Sequence, residues 1–325
     1  MASNNKILEE VSGWLRVYHD NSVDRSWTGP PEVEFLMKPV PSHEDFKDGV
    51  ATRDVLIDPN TGLYVRIYIP ASENGFHVQD KMPLILHFHG GGFCISQADW
   101  YMYYHFYAWL VRSVRAVCVS VYLRLAPEHR LPAACDDAYA AFLWLRATSL
   151  GGITGGNIVH DLAARVTGLK SDPVRLAGGV AIHPGFLRAE PSKSFLELAE
   201  SPLLTRDMVN KFMGLALPIG SSKDHPITCP MGAEAPPLAG LKLPPMLVVV
   251  AEKDLLRDTE LEYCEAMKEA GKEVEVMMNP GMGHSFYFNK LAIEADPETK
   301  AQAELLIETI KSFITRQRDI EGLSD

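Results

Sequence analysis

Residues 83–93 read PLILHFHGGGF. The first half is an apolar run of the kind found in strands buried on both faces. Three glycines follow without a break. Glycine lacks a Cβ, so its backbone bends to positive φ and lets a ligand come close to its N–H groups. A buried strand that ends in such a loop places Gly91 and Gly92 to hold an oxyanion at the carboxyl end of a sheet, with His89 and Gly90 opening the loop. The plain alternative is a flexible turn. His87 and His89 stand two apart, a spacing also compatible with metal ligation. No carboxylate or third histidine lies nearby in sequence to complete such a site, so no metal is expected, and no organic cofactor is implied.

Outward from this stretch, the chain alternates strand and helix. AVCVSVYL (116–123), LAGGVAIHPGF (176–186), PPMLVVVAE (244–252) and VEVMM (274–278) read as strands. CDDAYAAFLWL (135–145), DTELEYCEAMKEAG (258–271) and TKAQAELLIETIKSFITRQ (299–317) read as helices. That alternation predicts a mostly parallel sheet with helices on both faces. ATRDVLI and YVRIYI flank the turn-rich DPNTG and predict a hairpin. Residues 7–18 carry Ile7, Leu8, Val11, Trp14, Leu15 and Tyr18 at the spacing of one helix face. Residues 187–240 are proline-rich and break the alternation. The expectation is one domain over 1–325, with cap elements from about 1–40 and 187–240 above a pocket.

Two further residues sit where an α/β sheet collects its chemistry. Asp254, in AEKDLLRD, follows the strand PPMLVVV; His284, in NPGMGHSFYF, follows VEVMM. In the order Asp then His, they form an acid–base pair in which Asp254 fixes the tautomer of His284 and His284 moves protons. Taken singly, each is more often a cap or a surface group.

The motifs HGGGF, YLRLAPEHRLPAACDD, GGNIVH, DLLRD and GMGHSFYF together resemble the plant carboxylesterases of the hormone-sensitive-lipase group, over residues 7–317. That group also holds gibberellin receptors, 2-hydroxyisoflavanone dehydratases and some alkaloid cyclases. The resemblance implies an α/β-hydrolase fold with a helical cap, oxyanion donors at Gly91 and Gly92, and acid and base at Asp254 and His284. It departs where the family has Asp-Tyr before RLAPEH; here Tyr122 and Leu123 stand.

The larger departure is TSLGGITGGNIVH, residues 148–160. The family's Gly-Asp-Ser-x-Gly-Gly-Asn, anchored on Gly155, Gly156 and Asn157, puts Ile153 at the nucleophilic serine and Gly152 at the aspartate. Ile153 exchanges no proton with His284, and a β-branched residue resists the strained turn a nucleophile needs. Only residues 145–150 separate Trp144 from Gly151, too few for both a loop and a strand of roughly 5–6 residues. The nucleophile-bearing strand is therefore read as deleted, leaving its neighbours two inter-strand steps apart, roughly 10 Å, unless they slide together. Three readings follow: a segment missing from the sequence as written, a variant without serine chemistry, or Thr154 or Ser149 serving as nucleophile. The helix NIVHDLAARV keeps an apolar face at Ile158, Leu162 and Val166, and its N-terminus suits an anion or acyl oxygen. His160 within it reads as structural.

The formal charge is −11, from 31 basic and 42 acidic residues, which disfavours nucleic acid and anionic membrane surfaces. No run of 18 apolar residues occurs, and the N-terminus has no secretory pattern. Five cysteines without CxxC spacing read as reduced thiols, pointing to cytoplasm or nucleus. Three functions are thus in play: esterase of small acyl or plant-metabolite esters, non-hydrolytic receptor for a small ligand such as an apolar carboxylate, and lyase or cyclase with His284 as base. Trp14, Trp27, Phe186 and Phe195 are candidates to line an apolar pocket.

Overall fold

Strand pairing in the computed structural model, which describes residues 6–72, 82–147, 156–166, 176–201 and 203–319, builds two half-sheets side by side. The first opens with the hairpin β4 (Val50–Asp58) and β5 (Leu63–Pro70), antiparallel as the sequence suggests. Next come β6 (Leu84–Phe88) and β7 (Val117–Val121), parallel to each other, giving the order β4-β5-β7-β6. The second holds β8 (Gly179–Ile182), β9 (Met246–Ala251) and β10 (Val274–Asn279), all parallel. The apolar runs are buried as expected: every residue of β6 and of β9 is inaccessible.

Among the described residues β6 pairs only with β7 and β8 only with β9, so no ladder joins the halves. This is where the sequence lacks a strand. Ile153, Thr154 and Ser149 lie outside the described residues.

Helices bridge what the ladders do not. On one face, α1 (Tyr101–Val114) and α8 (Pro297–Asp319) pack with Ile85 and Cys118 of the first half-sheet and Val180, Leu247 and Val249 of the second. On the other face lie α2 (Ala133–Ala147), α3 (Gly156–Val166) and α6 (Arg257–Glu269), whose buried residues join Leu86, Val119, Ala181 and Val248 in one core. In α3 the predicted face holds: Ile158, Leu162 and Val166 are buried, Leu162 completely. Side chains from both halves interlock on both sheet faces, which closes a three-layer domain.

The N-terminal helix expected over residues 7–18 is not formed. β1 (Ile7–Val11) and β2 (Leu15–Tyr18) are antiparallel strands joined by a turn in which Gly13 takes φ +80, and β3 (Val23–Asp24) pairs with β2. The reason lies in the burial. Pairing of Val11 with Leu15 turns Val11, Leu15 and Val17 inward and leaves Ile7 and Leu8 largely exposed, whereas a helix face would have buried all of them. The helical spacing was a coincidence of two short strands on either side of a glycine turn. Arg25 pins this segment down: its guanidinium donates to the carbonyls of Cys94 and Ala126 and pairs with Glu128.

Residues 187–240 do carry helices, α4 (Lys193–Glu197) and α5 (Arg206–Ala216), each N-capped by a hydroxyl, from Ser192 and Thr205. The chain closes through α7 (Lys290–Ala295) into α8. No helix of the described residues is long and apolar enough to cross a membrane, and all five cysteines are free and buried.

Because Leu162 is wholly buried where α3 packs against the sheet, Leu162→Ala should lower unfolding free energy by about 2–5 kcal/mol. Urea denaturation measures it, and a loss under about 1 kcal/mol would mean that α3 contributes little to the core.

Candidate functional site

The parallel register sets the site. Met278 aligns with Val250 and Asn279 with Ala251, so β9 and β10 end level and their following loops emerge side by side. One loop carries Asp254, the other His284. Asp254 is 1 % exposed; its Oδ2 accepts a 2.6 Å hydrogen bond from His284 Nδ1, and its Oδ1 accepts the Leu256 N–H at 2.9 Å. Burial works to raise this carboxyl, but the charge and hydrogen bond of His284, with smaller help from His183 and the Leu256 amide, hold it below the ordinary carboxylate range. With Nδ1 engaged, His284 is left with Nε2 for proton transfer.

His284 lines a cavity of about 240 Å³ whose wall also includes His89 and the three glycines. In that loop Gly91 has φ +107 and Gly92 φ +58. A Cβ on Gly91 would meet the Ile95 carbonyl at 2.5 Å, and one on Gly92 would meet the Phe212 ring at 2.7 Å, so both space and backbone require glycine. Among the described residues no acceptor takes the N–H of Gly91 or Gly92. His89 serves the loop differently. Its Nδ1 bonds the Gly90 carbonyl at 3.0 Å and its Nε2 accepts the Leu123 amide at 3.4 Å, so both ring nitrogens are engaged as a brace. Burial holds His89 neutral, at about 4, against the Gly90 bond. His87 is buried and bonded to the Ser120 hydroxyl at 2.7 Å.

The roof comes from the two segments expected to cap the site. Trp14, Leu36 and Met37 enter from the N-terminal segment; Met208, Phe212 and Met213 enter from α5. Of the four aromatics named from sequence, only Trp14 lines this cavity. Trp27 packs edge-on against Trp14 at 4.5 Å, Phe186 stacks on Tyr263 in the core, and Phe195 borders a separate small cleft. None of the described lining residues is Asp, Glu, Lys or Arg. Four are methionines, Met37, Met102, Met208 and Met213, whose unbranched side chains adapt to irregular apolar shapes. His160 is a core residue bonded to the Tyr263 hydroxyl at 2.9 Å, as the sequence suggested.

Two residues escaped the sequence reading. His183 directly follows β8 and lines the cavity; the signal was present, since it too is the first polar residue after an apolar strand. His183, Asp254 and His284 each offer an atom within 4.8 Å of the others. Their hydrogen bonds speak against a metal there: His183 Nδ1 accepts the Ser285 N–H, so its proton is on Nε2 and that nitrogen has no lone pair to give. Glu260 on α6 is fully buried, and among the described residues neither carboxylate oxygen has a hydrogen-bond partner. Burial first, and the Asp254 charge second, push its carboxyl well above the ordinary value. One carboxyl is thus held below its ordinary value and a nearby one above it.

Within the chain, residues 85–288 match the family model described as the alpha/beta hydrolase fold. The chain is 32 % identical to the probable carboxylesterase 6 of Arabidopsis thaliana over 86 % of its own length and 84 % of that protein's. It is 33 % identical to the 2-hydroxyisoflavanone dehydratase of Glycyrrhiza echinata, over 96 % and 97 %. Among solved structures, vibralactone cyclase superposes with a TM-score of 0.70 at 27 % identity, covering 83 % of this chain and 82 % of that one.

A carboxyl raised above its unfolded value binds its proton more tightly when folded. Its stabilising contribution is therefore complete below the ordinary Glu value and lost as pH rises above it. Glu260→Gln should gain stability relative to the wild type steadily from pH 4 to pH 8. Denaturation midpoints at several pH values check this, and a difference independent of pH would show that Glu260 does not titrate anomalously.

Proposed function

Since the chain belongs to the alpha/beta hydrolase family, we propose that it is a carboxylesterase-like enzyme acting on small, neutral, apolar esters, with His284 as general base and acid and no acyl-enzyme. The observation that carries this is the 2.6 Å Asp254–His284 hydrogen bond, whose histidine lines a cavity together with Gly91 and Gly92. Asp254 keeps the His284 proton on Nδ1, leaving Nε2 as the basic nitrogen. With Ile153 where the family has serine, water is the attacking group. His284 Nε2 takes a proton from water as its oxygen bonds to the ester carbon. The Gly91 and Gly92 N–H groups take the negative charge that grows on the carbonyl oxygen. The acyl C–O bond then breaks, and the same proton passes from His284 to the leaving alkoxide.

The cavity wall supports a neutral ligand. A free carboxylate entering it would lose its hydration and find no cation among the described lining residues. That weighs against a receptor for an anionic hormone.

A second reading is supported by the relative named a dehydratase, which this chain matches almost end to end. The same base can remove a proton from the carbon next to a carbonyl, with the amides holding the enolate and a β-hydroxyl leaving as water. No nucleophilic side chain is needed for either reaction.

Assays with p-nitrophenyl acetate and with a β-hydroxy ketone distinguish the two. Turnover should fall by about 10²–10⁴-fold in His284→Ala. A fluorophosphonate probe should leave the wild type unlabelled. Stoichiometric labelling at Thr154 or Ser149 would restore an acyl-enzyme route, and full activity in His284→Ala would refute the base.

A further inference from the structure

His183 is an unusual residue for its place. It is 5 % exposed, takes φ +43 in the left-handed region, and carries a buried Nε2 with no partner among the described residues. A buried donor left unsatisfied costs roughly 1–3 kcal/mol, and left-handed backbone at a non-glycine residue adds to that. Neither feature helps the core. Its backbone N–H donates to the Val249 carbonyl at 3.0 Å, and among the described residues the ring's hydrogen bond is at Nδ1, which accepts the Ser285 N–H at 2.9 Å.

That amide belongs to the residue directly after His284. Ser285 itself has φ +58 and is the sharp turn by which the chain leaves His284 for the buried Phe286, Tyr287 and Phe288. Fixing the Ser285 N–H fixes the peptide plane between residues 284 and 285, and with it the direction in which the His284 side chain leaves the backbone. We propose that His183 is a positioning residue for His284: through the bond from Ser285 N–H to its Nδ1, it holds the turn that keeps His284 Nδ1 within hydrogen-bond distance of Asp254. The inference rests on His284 being the working base, but it concerns geometry and is tested apart from turnover.

The chemistry of the ring fits the role. The bond needs a lone pair on Nδ1 and therefore a neutral imidazole; a protonated ring would set two N–H groups against each other. Burial lowers His183 to about 3, with Asp254 opposing and His284 adding to the shift, so the acceptor persists at physiological pH. The ring stands 5.7 Å from His284 and 5.5 Å from Tyr287, centroid to centroid, wedged between the base and the segment that follows it.

Two substitutions separate an acceptor role from mere bulk. His183→Gly removes the acceptor and suits the left-handed backbone. His183→Asn also tolerates that backbone and offers an oxygen close to where Nδ1 lies. Circular dichroism first establishes that each variant is folded. Exchange of the Ser285 amide, followed by NMR, should be at least tenfold faster in the glycine variant and return to near wild type in the asparagine variant. The low-field proton of the His284–Asp254 hydrogen bond, assigned by its loss in His284→Ala, should vanish with glycine and return with asparagine. A folded glycine variant that keeps both signals overturns the proposal. So does a folded asparagine variant that restores neither, or a wild-type protein in which the Ser285 amide exchanges freely. Loss of the two signals together with unaltered turnover in His284→Ala would instead leave the positioning role standing and remove the catalytic one.

Discussion

A carboxylate with almost no solvent contact is an expensive group to keep charged, and Asp254 is held so by what surrounds it. One oxygen takes a backbone amide, the other takes the imidazole of His284. Both partners come from loops whose positions follow from two parallel strands ending at the same level. The sheet thus supplies the alignment, and the hydrogen bond converts it into a fixed imidazole tautomer. Removal of either half would leave an unpaired polar group at the bottom of an apolar cavity. This interdependence is why the pair makes sense as chemistry and much less sense as scaffolding.

The cavity itself is divided in character. Its floor is polar and built from strand ends: glycine amides, His89, His183 and His284. Its roof is apolar and built from the segments outside the sheet, with Phe212 pressed onto Gly92 so closely that no side chain fits between. A ligand with one oxygen and an otherwise hydrocarbon body satisfies both halves. A charged ligand satisfies neither.

The sheet and its helices were legible because continuous apolar runs and long amphipathic stretches are strong signals, and β6, β9 and α8 fall where the residues place them. That Asp254 and His284 come together was legible because each follows such a run. The N-terminal hairpin was not, since two strands of five and four residues around Gly13 imitate helical spacing, and only pairing with a neighbour breaks the tie. Which aromatics reach the cavity was equally hidden: Phe186 and Phe195 are as apolar as Trp14 but face other neighbours, and facing is a property of tertiary packing. Glu260 lies inside the helix sequence DTELEYCEAMKEAG, and nothing local marks it as buried.

The division between β6 and β8 has a mechanical meaning. Backbone ladders resist sliding in a way that interlocked side chains do not, because hydrogen bonds are directional and apolar contacts are not. Across this seam the described strands have no such ladder, so among them shear between the glycine loop on one side and the Asp254–His284 loops on the other is opposed by side-chain contacts. The two walls of the cavity stand on separate plates, and their spacing becomes a soft coordinate that a ligand filling the cavity can set.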